Sequence, residues 1–342
     1  MKLLKSLAGC ALAAGIALIS PAPAFAADEL VITMDTAPGH LRTRMMREFI
    51  SRMEKRSGGA MSFKLFDSSQ LFSSRDAAKA VARGDAGMTV LVTPHLSRIV
   101  ADYNVFDLPV INGLSDPQRA KMLDDGLGAF LSAQLEKKMG VVVPGNYWSM
   151  GKVLIFSTNK PMDKFADLEG MKIRIPGGAA LVIRLKAINA ASVAMPSTDL
   201  PLALQQGVVD ATMAGAESVM TMKLTDARVK YGFWDQGIIG YLAPLVSKKY
   251  WASLTDQQKA LFAEVWNEIT VEQRQAILEE EAVHWKQMAE LGVKMASATD
   301  ADVAQANKAM MAVQDEMIAK LGISAEAVAL ASKAAKAAST TK

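Results

Sequence analysis

Cysteine is almost absent from this chain: its 342 residues include one, Cys10. That residue lies in a segment with the marks of a cleaved export signal, so the working protein is expected to carry neither disulfide nor reactive thiol. Histidine is scarce as well. His40, His95 and His284 stand far apart, and there is no His-Glu-x-x-His, no Cys/His cluster and no acid-rich calcium loop. No metal site is expected from these residues, and the 21 methionines fall at helix and strand core positions rather than forming a thioether site. Phosphate-cradling glycine loops are missing in both their Walker and dinucleotide forms. Ser149, in Tyr-Trp-Ser-Met-Gly, lacks the first glycine of a nucleophile elbow. An excess of charge of either sign is missing too: 38 Lys and Arg oppose 35 Asp and Glu. The chain therefore offers no basic field for nucleic acid or a membrane surface. After residue 26 no apolar run is long enough to span a bilayer. No cofactor and no catalytic residue is indicated, and a binding protein is a stronger reading than an enzyme.

What is present begins with residues 1–26. Lys2 and Lys5 open the segment, Leu7 to Ile19 is apolar, and Ala24-Phe-Ala26 supplies the small residues of a signal-peptidase site. Leu7-Ala-Gly-Cys10 also matches a lipid-attachment pattern, but almost no apolar run precedes it, so cleavage near Ala26 and release into the periplasm is the expectation. Roughly 315 residues remain, enough for two lobes each with its own core.

Leu30 to Met34 reads as a buried strand. The stripe at positions 41, 45, 49 and 53, with 46 and 50 beside it, predicts a helix from Leu41 to Arg56, stopped by Ser57-Gly-Gly59. Strands at Met61–Phe66 and Met88–Val92 flank a helix from about Ser74 to Arg83. Asp116-Pro117 opens a helix reaching Met139, with interruption near Gly126 and Gly128. Strands follow at Val141–Val143 and Val153–Ser157. The alternation resumes with strand Lys172–Ile175, helix Ala179–Ile188, strand Ser192–Met195, helix Asp199–Gln206 and strand Val208–Met213. Such succession predicts parallel or mixed sheets flanked by helices, with ligands at the carboxyl ends of strands. Those ends place Thr36, Gln70 and Thr93 as candidate binding residues. Thr255-Asp-Gln-Gln258 is a capping box, and the apolar spacing after it predicts a helix of roughly thirty residues, long enough to brace both lobes. Trp251, Trp266 and Trp285 on or near it are expected in the core. Trp148 and Trp234 lie in polar, glycine-containing stretches and read either as candidate walls for an apolar ligand body or as rings buried against a hinge. His40 reads either as a solvent-exposed helix start or as a donor to ligand.

The most informative stretch is Asp167-Leu-Glu-Gly-Met-Lys-Ile-Arg-Ile-Pro-Gly-Gly178, a short strand that delivers Arg174 between two structural punctuators. With it goes Ala203-Leu-Gln-Gln-Gly-Val-Val-Asp210, and weaker pieces lie at Ser69-Gln-Leu71, Phe106-Asp-Leu-Pro109 and Ser157-Thr-Asn-Lys-Pro161. On these residues the chain resembles, over essentially its whole length after the signal, the extracytoplasmic solute receptors of TRAP transporters (tripartite ATP-independent periplasmic), dicarboxylate-receptor type. The resemblance implies a two-lobed, periplasmic-binding-protein-like α/β fold with a long helix spanning both lobes. It implies that Arg174 holds a ligand carboxylate, that integral membrane subunits of a TRAP transporter receive the ligand, and that the receptor acts as a monomer. The chain departs from the pattern after Asp210: Ala214 stands where the family places a clamping asparagine, and only Lys152 lies near the place of a second arginine. With Met213, Trp148 and Trp234 as apolar walls, the expected ligand is a monocarboxylate such as a 2-oxo or 2-hydroxy acid. A C4-dicarboxylate, a sugar acid or an amino-acid derivative is the alternative. A secreted enzyme on the same scaffold would need His40, His95, Asp35 or Asp210 beside Arg174. The expected division is residues 27–150 mainly in lobe I, 151–245 mainly in lobe II with strand crossovers, and 246–328 as bracing helices over both. The tail, 329–342, is expected to fray.

Overall fold

The computed structural model describes residues 29–339; the export signal, its cleavage point and Cys10 lie outside the described residues. Lobe I begins with strand β1 (Leu30–Thr33), helix α1 (Leu41–Arg56), β2 (Phe63–Phe66), α2 (Ala77–Arg83), β3 (Met88–Val92) and the single-turn α3 (Thr93–Leu96). Two 3-10 turns, Ala101–Asp107 and Pro109–Ile111, then lead to α4 (Asp116–Met122) and α5 (Gly128–Met139), joined by a π-helical stretch at Leu123–Leu127. The expected interruption falls at Gly126, whose φ of 131° has left the helix. Strands β4 (Val141–Val142) and β5 (Trp148–Lys152) follow.

The chain then crosses into lobe II: β6 (Leu154–Ser157), β7 (Lys172–Ile175), α6 (Ala179–Ala187), β8 (Ala191–Ala194), α7 (Leu200–Gln205), β9 (Ala211–Ala214), α8 (Ala216–Thr221) and β10 (Tyr231–Trp234). It returns to lobe I through β11 (Ile239–Ser247) and α9 (Lys248–Ser253). The long α10 (Asp256–Glu290), β12 (Lys294–Ser297), α11 (Asp300–Ala312), α12 (Gln314–Leu321) and α13 (Ala325–Ser339) complete the described chain.

Each lobe holds one mixed six-stranded sheet. The first runs β2-β1-β3-β11-β4, with β5 also paired to β11; the second runs β12-β10-β6-β9-β7-β8. Parallel pairing joins β1 to β2 and β3, and β7 to β8 and β9. The antiparallel members are those that follow a crossing: β11 against β3, β4 and β5, and β6 against β9 and β10. Pro244, within β11, sits between the stretch paired to β5, which ends at Leu242, and the stretch paired to β4, which starts at Val246. On that edge its missing N–H costs no ladder bond.

Apolar clusters cover both faces of each sheet. Helix α10, capped by Thr255 and Gln258 as its sequence indicates, ties them together. Its first half packs Phe262, Val265, Trp266 and Ile269 under sheet I against Phe49 and Trp148, and its last turns put Met288 into the core of lobe II. Gln273 of α10 also bonds the backbone of Ser149 on both sides, accepting from its N–H at 2.9 Å and donating to its carbonyl at 2.7 Å. Helix α13 runs to Ser339, with Ala327 and Ala331 fully buried against lobe I, because its alanines form an apolar face that this core accepts.

Gly237, on the second crossing, has a reason to be glycine. A Cβ there would lie 1.8 Å from Arg184 Nη2, and Arg184 is held by Asn112 and Asp235. Gly237→Ala should cost about 1–3 kcal/mol through overpacking, read as a lower urea midpoint; an unchanged midpoint would mean that Arg184 moves freely.

Candidate functional site

A cavity of about 130 Å³ lies between the lobes and takes walls from both, and from both crossings. Lobe I contributes Asp35 and Thr36 beyond β1, His40 and Arg42 at the start of α1, Thr93 and Pro94 beyond β3, and Phe106 and Asp107. Lobe II contributes Arg174 and Pro176 from the end of β7, Leu181, Leu200, and Met213 and Ala214 from β9. The crossings supply Met150, Val153 and Ile238 to Tyr241. Apolar side chains predominate.

Arg174 is buried, at 7% exposure, on an inner strand of sheet II. Its Nε and Nη2 both donate to the Met195 carbonyl, at 3.0 and 2.8 Å. That contact fixes the guanidinium plane and leaves Nη1 and the outer N–H of Nη2 uncommitted. Among the described residues no carboxylate forms an ion pair with it. Burial lowers its pKa to about 10, with Asp35 and Asp199 acting in the opposite direction. A buried cation without an ion pair, on a cavity wall, is suited to an anion arriving from outside.

A second guanidinium, missed in the sequence, belongs to Arg42. Its Nη1 lies 3.3 Å from Asp35 Oδ1, and its Nε is enclosed without a hydrogen-bond partner. One signal could have found it. The first turn of α1 has no acidic residue but two arginines, Arg42 and Arg44, where the helix dipole favours negative charge.

Five of the expected residues, Arg174, Met213, Ala214, Thr36 and Thr93, lie on the cavity wall. Three do not. Trp148 is a strand residue with no exposed surface, stacked 4.7 Å from Trp266 with 5° between the rings, so it is core and not ligand wall. Trp234 closes β10 and packs into lobe II, with Lys152 Nζ 4.3 Å over its ring. Gln70 is exposed and outside the cavity, because β2 is the outermost strand of its sheet and its end opens to solvent. Lys152, in turn, pairs with Glu281 at 2.7 Å and does not reach the cavity. Asp210 braces strands, its carboxylate accepting from Lys172 N at 2.8 Å, and is likewise outside the cavity.

His40 is buried, not solvent-exposed, and it joins the lobes. Its Nε2 meets Ser218 Oγ at 3.2 Å, and its Nδ1 accepts from Arg42 N–H at 3.2 Å while standing 3.0 Å from Glu217 Oε2. Burial holds the imidazole well below its ordinary value and pushes Glu217 up to about 7. A neutral Nδ1 facing a carboxyl oxygen is best satisfied by a protonated Glu217. The charged and titratable groups around it are Arg42 and Arg44 from α1, and Glu280 and His284 from α10. Glu217, Glu280 and His284 bring possible ligand atoms within 4.8 Å of one another, but Arg44 already bridges the two carboxylates.

The sign of the pH effect follows. An acid whose pKa is raised by folding contributes fully below about pH 4.5, and that contribution is lost as pH rises through about 7, at about 1.4 kcal/mol per unit. Glu217→Gln, which keeps both hydrogen bonds without a charge, should therefore gain on wild type between pH 5 and 8, by roughly 2–3 kcal/mol at the upper end. Urea melts across that range measure it. Parallel pH profiles for the two proteins would show that Glu217 is ionised throughout.

Two α/β lobes joined by two strand crossings and a bracing helix, with an apolar cavity and a buried arginine between them, have the architecture of a solute-binding protein. The chain belongs to the bacterial extracellular solute-binding proteins, family 7, matched over residues 32–321. Among curated relatives, the C4-dicarboxylate-binding periplasmic protein DctP of Rhodobacter capsulatus is 29% identical over 260 residues, 74% of each chain. A solute-binding protein of Albidiferax ferrireducens is 30% identical over 188 residues, 55% of this chain and 54% of that one. Among solved structures, the sugar acid binding protein DctPAm from Advenella mimigardefordensis, in complex with galactonate, superposes with a TM-score of 0.86 at 22% identity, covering 91% of this chain and 99% of that one. A TRAP periplasmic solute-binding protein from Sulfitobacter sp. NAS-14.1, with bound β-D-galacturonate, gives 0.82 at 24% identity, covering 90% and 100%. These likenesses agree with the mixed α/β, two-lobed architecture expected from the sequence. No helix among the described residues is long and apolar enough to cross a membrane.

Proposed function

We propose that this protein is the exported, periplasmic receptor of a TRAP-type transporter, that it captures a small organic acid between its lobes as a monomer, and that it delivers the acid to integral membrane subunits. The observation that carries the reading is Arg174: a buried guanidinium pinned by the Met195 carbonyl, facing a cavity, with no ion pair among the described residues. Its remaining N–H donors suit a carboxylate, whose two oxygens match the planar fork. Support also comes from solved structures of the same fold, four of which hold galacturonate, galactonate, succinate and D-glucuronate, all of them acids.

The wall around Arg174 favours a monocarboxylate. Ala214 offers no side-chain donor, Met213, Leu181 and Leu200 are apolar, and a 2-oxo or 2-hydroxy acid fits such a surface. Arg42 favours a second reading, a C4-dicarboxylate with its far carboxylate on that guanidinium, although Asp35 already pairs with it. A thermal-shift panel of mono- and dicarboxylates, followed by calorimetric titration, tests both, since a ligand held only by the folded state raises the midpoint by mass action. Shifts from neutral solutes with none from carboxylates would overturn the reading. For the transport partners, the neighbouring reading frames should encode a small four-helix and a large multi-span membrane protein.

A further inference from the structure

Asp107 is a carboxyl group that the fold buries and leaves without a partner. It ends the 3-10 turn Ala101–Asp107 with 5% of its surface exposed, and it lines the cavity. No hydrogen bond among the described residues involves its side chain, yet its oxygens are not among the fully enclosed unpartnered atoms. Their open direction is the cavity. Buried polar groups are nearly always hydrogen-bonded, so such an exception asks for an explanation.

The basic residues nearest in charge do not supply one. Arg119 gives Nε to the Leu114 carbonyl and Nη2 to the Gly237 carbonyl. Arg184 bonds Asn112 and faces Asp235 at 3.5 Å. Neither comes within ion-pair distance of Asp107, though both act on it through space and partly offset the rise that burial causes. Arg174, by contrast, feels Asp35 and Asp199. Arg174 and Asp107 line one cavity without pairing with each other, so its wall carries both a donor fork and an acceptor.

Resting on the reading of Arg174 as the carboxylate anchor, we infer that Asp107 sets specificity by accepting a hydrogen bond from a hydroxyl group on the ligand remote from that carboxylate. The ligand is thus a hydroxylated monocarboxylic acid. A second carboxylate at that place would stand against Asp107 as a like charge, which is costly in a dry site. An ammonium group there would meet the field of Arg119 and Arg184, which a neutral O–H does not.

The test uses two sets of probes that differ only away from the anchoring carboxylate: butanoate, 4-hydroxybutanoate and succinate, and hexanoate, gluconate and adipate. Calorimetric titration of wild type should favour the hydroxylated member of at least one set by about ten- to a hundredfold over both others, the range for a hydrogen bond to a charged group. Asp107→Leu should reduce that ratio to about threefold or less, with the hydroxy acid losing more affinity than the unsubstituted acid. Asp107→Asn, which keeps shape and removes charge, should improve binding of the dicarboxylate relative to the hydroxy acid, and it serves alone if the leucine variant does not fold. Equal weakening of all three acids in either variant would make Asp107 a structural counter-charge for Arg119 and Arg184, and would overturn the inference. No preference in wild type would do the same. Failure of every acid to bind, or binding that survives Arg174→Ala, would instead remove the organic-acid reading, and this inference with it.

Discussion

Arg174→Ala should weaken binding of the best carboxylate ligand by roughly 2–5 kcal/mol, on the order of thirty- to several-thousand-fold. The loss arises because a desolvated ligand carboxylate would be left in the cavity without its charge partner. Arg174→Lys should recover little of it. An ammonium cannot donate to the Met195 carbonyl and still offer two parallel N–H groups to a carboxylate. The unliganded protein should respond in the other direction. Burial lowers the pKa of Arg174 to about 10, so at neutral pH the fold holds a charge that water would hold better. Removing it should leave the melting midpoint without ligand unchanged or higher, while the ligand-induced shift disappears. A midpoint that falls sharply, with ligand affinity retained, would mark Arg174 as a structural residue.

Trp148→Ala should cost about 3–5 kcal/mol of folding stability, as should Trp266→Ala. Both rings are fully buried, stacked on each other, and Trp266 also meets Phe49 edge-on at 5.5 Å. Trp266 Nε1 further donates to the Asn146 carbonyl at 2.9 Å. Because the two residues share one stack, the double variant should lose less than the sum of the singles. Ligand affinity per folded molecule should stay within a few-fold of wild type, since neither ring reaches the cavity. Urea titration and calorimetry separate the two quantities. A stable Trp148→Ala protein that no longer binds would restore Trp148 to the cavity wall.

These outcomes bear on what the sequence could carry. Helix α1 and strands β3 and β7 fall at the bounds expected of them, because a regular apolar pattern meets a breaker; Ser57-Gly58-Gly59 stops α1 and Pro176-Gly177-Gly178 stops β7. Strand β11 gave no such sign. Nearly all of it is buried, so it has no alternation, and Pro244 argues against a strand until the gap beside it is known. Trp148 misled because its neighbours, Pro144-Gly-Asn, have the composition of a loop while the pairing that makes β5 a strand comes from Ile239–Leu242. Arg174 could be singled out because its strand and its breakers lie within a dozen residues. Asp107 and Glu217 could not, since each acquires its place from a partner or cavity wall more than fifty residues away; Arg42, paired with the nearby Asp35, left only the signal of an arginine in the first turn of a helix. Thr36 and Thr93 follow from the rule that ligands gather at strand ends. Gln70 breaks that rule because the rule does not say which strands are central.

The two crossings have a consequence for the time course of folding. β3 pairs with β11 across a separation on the order of 150 residues, and topologies rich in such distant pairings fold slowly. Sheet I cannot close until β11 has been synthesised, well after all of β1 to β5. Lobe II also takes its edge strand β12, and Met288 from the last turns of α10, from chain made after that point. The β3 edge in the amino-terminal third must therefore wait for a partner made much later, and that delay is an advantage to any chain that must cross a membrane before it folds.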